Sequence, residues 1–312
     1  MSGSGHPVRV AGTQPSVADL LAAPTPSFSF EFFPPKTDEG ERRLRRAIAE
    51  LAPLAPTFVD VTYGAGGSTR NRTLRIVADL VASTEFTVVA HLTCVGASAA
   101  QLREVAADLA EAGVRNILAL RGDPPAGPAG TWQPHPDGLT HARELVELLG
   151  EVGPFTIGVA AFPEGHPEAP SRAADLARFV EKVKAGASFA ITQFFFDAAD
   201  YLRFCTDAAD AGVDIPIIPG VMPVTNLAQI ERFAELSGAA FPADLAARLR
   251  AVQDDPEAVR AIGVEVATDL AAGLLTAGAP GVHFYTLNRS TATREVHARL
   301  EAAGLTGPAA AL

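Results

Sequence analysis

Apolar residues recur along this chain in two alternating rhythms. Short runs dense in aromatic and β-branched residues are followed by longer stretches whose apolar positions fall three and four apart, the periods of strands and helices. The first run begins at Ser27 and stops at Pro34-Pro35. Its alternation sets Phe28, Phe30 and Phe32 on one face and Ser29, Glu31 and Phe33 on the other. A helix over about Asp38 to Leu51 follows, with Leu44, Ile48 and Leu51 on one stripe. Further strands are expected at Phe58–Tyr63, Phe86–Leu92, Asn116–Leu120, Thr156–Ala161, Phe189–Phe194, Ile215–Ile218 and Gly281–Thr286. Helices are expected between them, from Ser68 as a cap toward Ser83, and at Ser98–Ala112, Leu139–Leu149, Ser171–Ala185 and Ala198–Ala211. Three more fill Leu227–Leu236, Ala243–Val252 and Pro256–Thr276, and a last one covers Ala292–Ala302.

Eight strands alternating with helices over about 280 residues predict a closed parallel (β/α)₈ barrel, the TIM-barrel class of α/β fold. An open doubly wound sheet is the alternative, but no G-x-G-x-x-G follows the first strand. The Gly64-Ala65-Gly66-Gly67 run has the wrong spacing and reads as a helix-entry turn. Residues 1–26, rich in Gly, Ser, Pro and Ala, read as a flexible N-terminal arm with one short helix at Val17–Ala22, and residues 27–312 as one catalytic barrel domain.

Composition narrows the partners. The net charge of −11 and the lack of long basic runs argue against nucleic acid or an anionic membrane surface. No apolar run is long enough to span a membrane, and Cys94 and Cys205 match no zinc or disulfide pattern, so a reducing cytoplasm is expected. The seven histidines form no metal-binding spacing, and no metal site is expected.

In a parallel barrel the carboxyl ends of the strands form the active face. Glu31, Thr62, His91, Arg121 with Asp123, His166, Gln193, and Asn288 with Arg289 all fall there. Taken singly each has an ordinary explanation: Glu31 a solvated strand end, His91 a core histidine, Arg121 and Asp123 an ion pair across a turn, Lys182 a solvated helix residue. Together they converge on one mouth. A carboxyl at Glu31, set among phenylalanines, would be pushed toward neutral pKa and suited to general acid work.

The segments 29–36 (SFEFFPPK), 61–70 (VTYGAGGSTR), 90–94 (AHLTC), 120–125 (LRGDPP), 166–169 (HPEA), 191–197 (ITQFFFD), 216–223 (PIIPGVMP) and 283–289 (HFYTLNR) resemble, in this order, the bacterial FAD-dependent type of methylenetetrahydrofolate reductase. The resemblance implies a barrel that binds FAD and reduces 5,10-methylenetetrahydrofolate to 5-methyltetrahydrofolate with NADH or NADPH by a ping-pong mechanism, feeding methionine synthesis. It implies Glu31 as the acid that protonates the leaving nitrogen and Asp123 as the carboxylate that stabilises the iminium. FAD would be bound by Thr62, His91, Arg121, Gly122, Asp123, Ala142, Phe162, His166, Ala169, Asp175 and Lys182, and folate by Gln193, Gln229, Phe233 and Arg289. Gln193 and Phe233 would also meet the nicotinamide. Phe162 stands where relatives commonly carry tyrosine, and Arg178 where a relative has an uncharged polar residue. A homo-oligomer is implied, and inhibition by S-adenosylmethionine is not expected because the chain ends at Leu312 without an appended domain. The alternatives are direct hydride transfer to folate without flavin, a non-catalytic folate- or flavin-binding barrel, and a generic barrel lyase or isomerase.

Overall fold

The computed structural model describes residues 14–63, 67–124 and 130–307. After a short helix α1 (Val17–Leu21), the strands are β1 (Ser27–Phe32), β2 (Phe58–Val61), β3 (Val88–Thr93), β4 (Asn116–Leu120), β5 (Thr156–Ala161), β6 (Phe189–Phe194), β7 (Ile217–Val221) and β8 (Gly281–Tyr285). Each hydrogen-bonds its neighbours in sequence order and β8 closes on β1, giving a closed parallel barrel. The helices alternate with them: α2 (Asp38–Leu51), α3 (Gly67–Ser83), α4 (Ala99–Glu111), α5 (Ala142–Val152), α6 (Arg172–Lys184) and α7 (Ala198–Asp210). Three helices, α8 (Leu227–Ser237), α9 (Ala243–Arg250) and α10 (Pro256–Thr276), separate β7 from β8, and α11 (Thr291–Ala302) ends the fold.

Barrel strands are covered on both sides, so almost every strand position is buried. The largest apolar cluster joins the outward strand faces to the helices, through residues such as Phe30, Val61, Leu92, Leu109, Leu149 and Phe284. Many helix starts carry a side-chain cap: Thr37, Ser98 in a capping box with Gln101, Ser171, Asp197, Asn226 and Asp255 each accept from a first-turn amide.

Residues 14–22 are not a free arm. Val17 and Leu21 of α1 pack with Phe58, Val89, Leu118, Phe189, Ile191 and Ile218, the inward side chains at the amino end of the strands. Asn116 Oδ1 accepts from Val17 N at 2.8 Å, and Gln14 bridges Phe86 O and Val88 N. The expectation of flexibility fails here because the short apolar stripe of α1 has a barrel floor to close. The first thirteen positions of that arm lie outside the described residues, as does most of the Gly64–Gly67 run.

Several element ends differ from the sequence pattern. Strand β7 starts two residues later than expected because Pro216 precedes it, and its own carbonyl accepts from Ala190. Helix α3 starts at Gly67, so Ser68 is inside the helix and is not its cap. Helix α5 begins at Ala142, because Thr140 N is bonded to the Glu144 carboxylate in the turn before it. No helix among the described residues is long and apolar enough to cross a membrane.

Candidate active site

Parallel pairing sets Glu31 opposite Asp60 on β2 and opposite Tyr285 on β8. The alternation of β1 sends Phe28, Phe30 and Phe32 outward: Phe28 meets His297 of α11 edge-on at 4.9 Å, and Phe30 meets Phe284 at 6.1 Å. Ser29 and Glu31 therefore face the barrel interior. This corrects the expected cause of Glu31's dryness, since Phe28, Phe30 and Phe32 lie on the other face of the strand and Phe33 is exposed. Glu31 is only 6 % exposed because the closed barrel surrounds it. Burial, reinforced by the nearby Asp60 carboxylate, pushes its carboxyl well above the usual range.

The interior group extends beyond the expected residues. His91 Nε2 lies 2.9 Å from Asp60 Oδ2 and 3.9 Å from Glu31 Oε2. His283 Nε2 is 3.6 Å from the same Asp60 oxygen, and His283 Nδ1 is 2.9 Å from Ser29 Oγ. Burial lowers the pKa of His283, with His91 adding to the effect and Asp60 opposing it. Tyr285 donates to Thr192 O at 2.6 Å, and its ring lies so close over Gly220 that a Cβ there would sit 2.6 Å from it. Donor atoms of Glu31, Asp60 and His91 all lie within 4.8 Å of one another. His91 Nε2 is hydrogen-bonded to Asp60, and Glu31 lies just beyond hydrogen-bond reach of the same nitrogen. Sequence reasoning passed over Asp60, His283, Ser29 and Tyr285. An acid between valines in the apolar strand Phe58-Val59-Asp60-Val61 was the available signal, since an unpaired carboxylate there is costly.

The loops after β4 and β5 carry the rim. Arg121 does not pair with Asp123. It binds Glu168 at 2.5 Å and stacks 5.3 Å above Trp132, whose Nε1 donates to Gly122 O. The pair holds the Glu168 carboxyl below its usual pKa. Gly122 has φ +83°, and an added Cβ would lie 2.8 Å from Thr93 Cβ and Val95 Cγ1. Asp123 is exposed, outside the buried cluster. Phe162 packs edge-on against His166 at 4.7 Å, and Glu168 N donates to His166 Nδ1. Burial and the Arg121 charge lower the pKa of His166. Ala169 N closes the turn onto His166 O, Ala142 opens α5, and Thr62 donates to Phe32 O. Arg178 is exposed on α6.

Lys182 is not a solvated residue. Its Nζ donates to Ala160 O at 2.6 Å and sits 5.6 Å over the Phe179 ring, with burial depressing its pKa to about 8 against the pull of Asp175. Gln193 accepts from Phe194 N and is half-buried, and its amide nitrogen makes no hydrogen bond among the described residues. Gln229 and Phe233, one turn apart on α8, line a small pocket with Met222 and Leu287. Arg289 lines a separate cavity of about 320 Å³ with Arg43, Arg46 and Arg260. Beside it Asn288 holds Phe33 through both its N–H and its carbonyl.

A closed (β/α)₈ barrel with a desolvated carboxyl near its carboxyl-terminal mouth defines the class: a TIM barrel that carries an interior acid. Its family follows from comparison with known proteins. The model of the methylenetetrahydrofolate reductase family matches residues 16–301. The 5,10-methylenetetrahydrofolate reductase of Escherichia coli K12 is 45% identical over 262 residues, 84% of this chain and 86% of the relative. That of Pectobacterium carotovorum is 44% identical over the same span. The Arabidopsis thaliana protein named methylenetetrahydrofolate reductase (NADH) 1 is 37% identical over 84% of this chain and 46% of its own length. Among solved structures, a Clostridium thermocellum protein described as binding two copies of 5-methyl-5,6,7,8-tetrahydrofolic acid superposes with a TM-score of 0.61 at 15% identity, covering 90% of this chain and 96% of that one, a likeness of fold. The chain belongs to the methylenetetrahydrofolate reductase family, and reduction of methylenetetrahydrofolate is the activity that membership supports.

Proposed function

We propose that the protein reduces 5,10-methylenetetrahydrofolate to 5-methyltetrahydrofolate with NADH or NADPH through bound FAD, the two substrates taking turns in one site. The observation that carries this reading is the buried carboxyl of Glu31 at the end of β1, whose pKa burial and the neighbouring Asp60 raise well above the usual carboxyl range. Opening the five-membered ring breaks a carbon–nitrogen bond whose electrons go to the nitrogen. Glu31 gives that nitrogen its proton, leaving an iminium at the one-carbon bridge. Asp123, a carboxylate at the rim, faces the developing cation. Gln193 offers a free amide N–H to the pterin, Phe233 packs on whichever ring is bound, and Gln229 borders the same pocket. Arg289, opening on a cavity with three other arginines, suits the glutamate carboxylates of folate.

Fit to FAD is supported by the donor set. Among the described residues Lys182 is a partly buried ammonium bonded to a carbonyl and to no carboxylate, so a pyrophosphate would supply the missing charge. His166 and Asp175 lie around it, and Arg121 and the backbone at Gly122 form the rim where no Cβ fits. Thr62, His91, Ala142, Phe162 and Ala169 complete the wall. When bound, FAD supplies the hydride acceptor and donor. The chain's own residues bind, orient and donate one proton.

An absorbance spectrum of the purified protein, followed by anaerobic titration with NADH and then NADPH, tests cofactor and donor together. A colourless protein that still turns over refutes the flavin. Parallel initial-rate lines are expected, and intersecting lines refute the shared site. For Glu31→Gln, bleaching by NAD(P)H should persist while reoxidation by folate is lost by at least about a hundredfold. Sedimentation should show a homo-oligomer.

A further inference from the structure

Donation of one proton by Glu31 leaves the chain of groups around it unexplained. Asp60 is wholly buried, His283 is wholly buried, and Asp60 Oδ1 and His283 Nε2 have no hydrogen-bond partner. Such groups are costly inside a barrel unless they serve the site above them. A single ring nitrogen, His91 Nε2, faces both carboxyls, within hydrogen-bond reach of Asp60 at 2.9 Å and beyond it for Glu31 at 3.9 Å.

We propose that Asp60 is a positioning residue for the reaction: hydrogen-bonded to His91 at 2.9 Å, with the His283 ring 3.6 Å away on its other side, it keeps the single negative charge of the cluster and so keeps the proton on Glu31. The inference rests on the reading of Glu31 as the acid. Two carboxyls facing one another in a dry site do not both ionise, and the one that is hydrogen-bonded keeps the charge. Here that one is Asp60. The Cα register that pairs Glu31 with Asp60 fixes the arrangement through the backbone. The other groups around Glu31 do not compete for its proton. Tyr285 on β8 donates to Thr192 O, Thr286 donates to the Glu31 backbone carbonyl, and His283 on β8 is turned toward Ser29 and Asp60. Burial first, and Asp60 second, raise Glu31, which agrees with the geometry.

Infrared difference spectra of the purified protein locate the charge without any turnover. Wild type minus Glu31→Gln should show a protonated carboxyl band at neutral pH, and wild type minus Asp60→Asn should show a carboxylate pair. The opposite assignment, or two carboxylates, overturns the proposal. In Asp60→Asn the alkaline limb of folate-driven flavin reoxidation, where the rate falls as the acid loses its proton, should move to lower pH, giving a rate about tenfold lower on that limb for each pH unit moved. The pH profile of flavin reduction by NAD(P)H should not move. A uniform loss of rate with an unmoved profile would mean that Asp60 is only structural, and would also overturn the proposal. Should Asp60→Asn fail to fold, the Glu31→Gln spectrum decides alone, since a Glu31 carboxylate at neutral pH excludes the arrangement. If wild type binds no flavin or turns over no folate, the proposed function fails while the spectra still report where the charge resides.

Discussion

Replacing Lys182 with methionine separates the cost of this lysine to the fold from its use to the site. Burial draws its pKa from 10.5 down to about 8, a change worth roughly 3 kcal/mol if the side chain were fully enclosed. Its accessible surface shows it only partly buried, so solvent screening reduces the cost to about 1–2 kcal/mol. The ammonium is charged in both folded and unfolded states below about pH 8, and the full cost is present there. Between about pH 8 and 10.5 the unfolded chain binds more protons, so the wild-type fold gains stability as pH rises. Methionine has no such term, but it forfeits the bond to Ala160 O, worth about 1 kcal/mol. Lys182→Met, freed of flavin, should therefore be level with or up to about 1 kcal/mol more stable than wild type near pH 7. It should be less stable than wild type near pH 10, a relative change of about 1–2 kcal/mol. Urea midpoints at the two pH values measure this. A difference between the proteins that does not change with pH would refute the burial argument. On the proposed function, the same variant should retain less FAD after gel filtration, although it folds as well.

Three further outcomes are expected. Gly122→Ala forces a Cβ against Thr93 and Val95 at a left-handed backbone position, and should cost about 2–4 kcal/mol in chemical denaturation. Val17→Ala removes two methyl groups from the barrel floor and should cost roughly 1–3 kcal/mol, with folate turnover at saturating substrate unchanged. The raised Glu31 carboxyl makes the folded state bind more protons than the unfolded chain above the ordinary value of 4.5, so stability should fall as pH rises through that window, and Glu31→Gln should flatten the fall in thermal melts.

How much of this was legible in the sequence differs by level. Periods of two and of three to four gave all eight strands and their order, because a parallel barrel buries both faces of each strand and leaves long apolar runs. The mouth residues followed from strand ends alone. Contacts across the barrel did not. Alternation correctly put Phe28, Phe30 and Phe32 together, but nothing local says which face of a strand a closed barrel turns inward. Arg121 and Asp123 are two apart in sequence, yet the guanidinium reaches Glu168 on the next βα loop. Lys182 occupies an ordinary helix position, and only the return of α6 against β5 brings its ammonium to Ala160. Asp60 was missed for the same reason, since its partners come from β1, β3 and β8.

The closed floor and the mouth together set how dry the site around Glu31 is. At the amino end, α1 and the ring of Phe58, Val89, Leu118, Phe189, Ile191 and Ile218 close the barrel with apolar side chains. The layer above holds Ser29, Asp60, His91 and His283, all buried, and Glu31 with Tyr285 borders it toward the mouth. Among the described residues the floor side of Glu31 is closed, and its open side is the mouth. A carboxyl in that position is desolvated from below permanently and from above when a ring system covers it, and each step favours the protonated form. Asp60 lies within hydrogen-bond reach of an imidazole in the same dry layer, at 2.9 Å, whereas Glu31, at 3.9 Å, lies beyond it. On the proposed function, the two carboxyls differ in duty through a displacement of about an ångström in where one histidine nitrogen points.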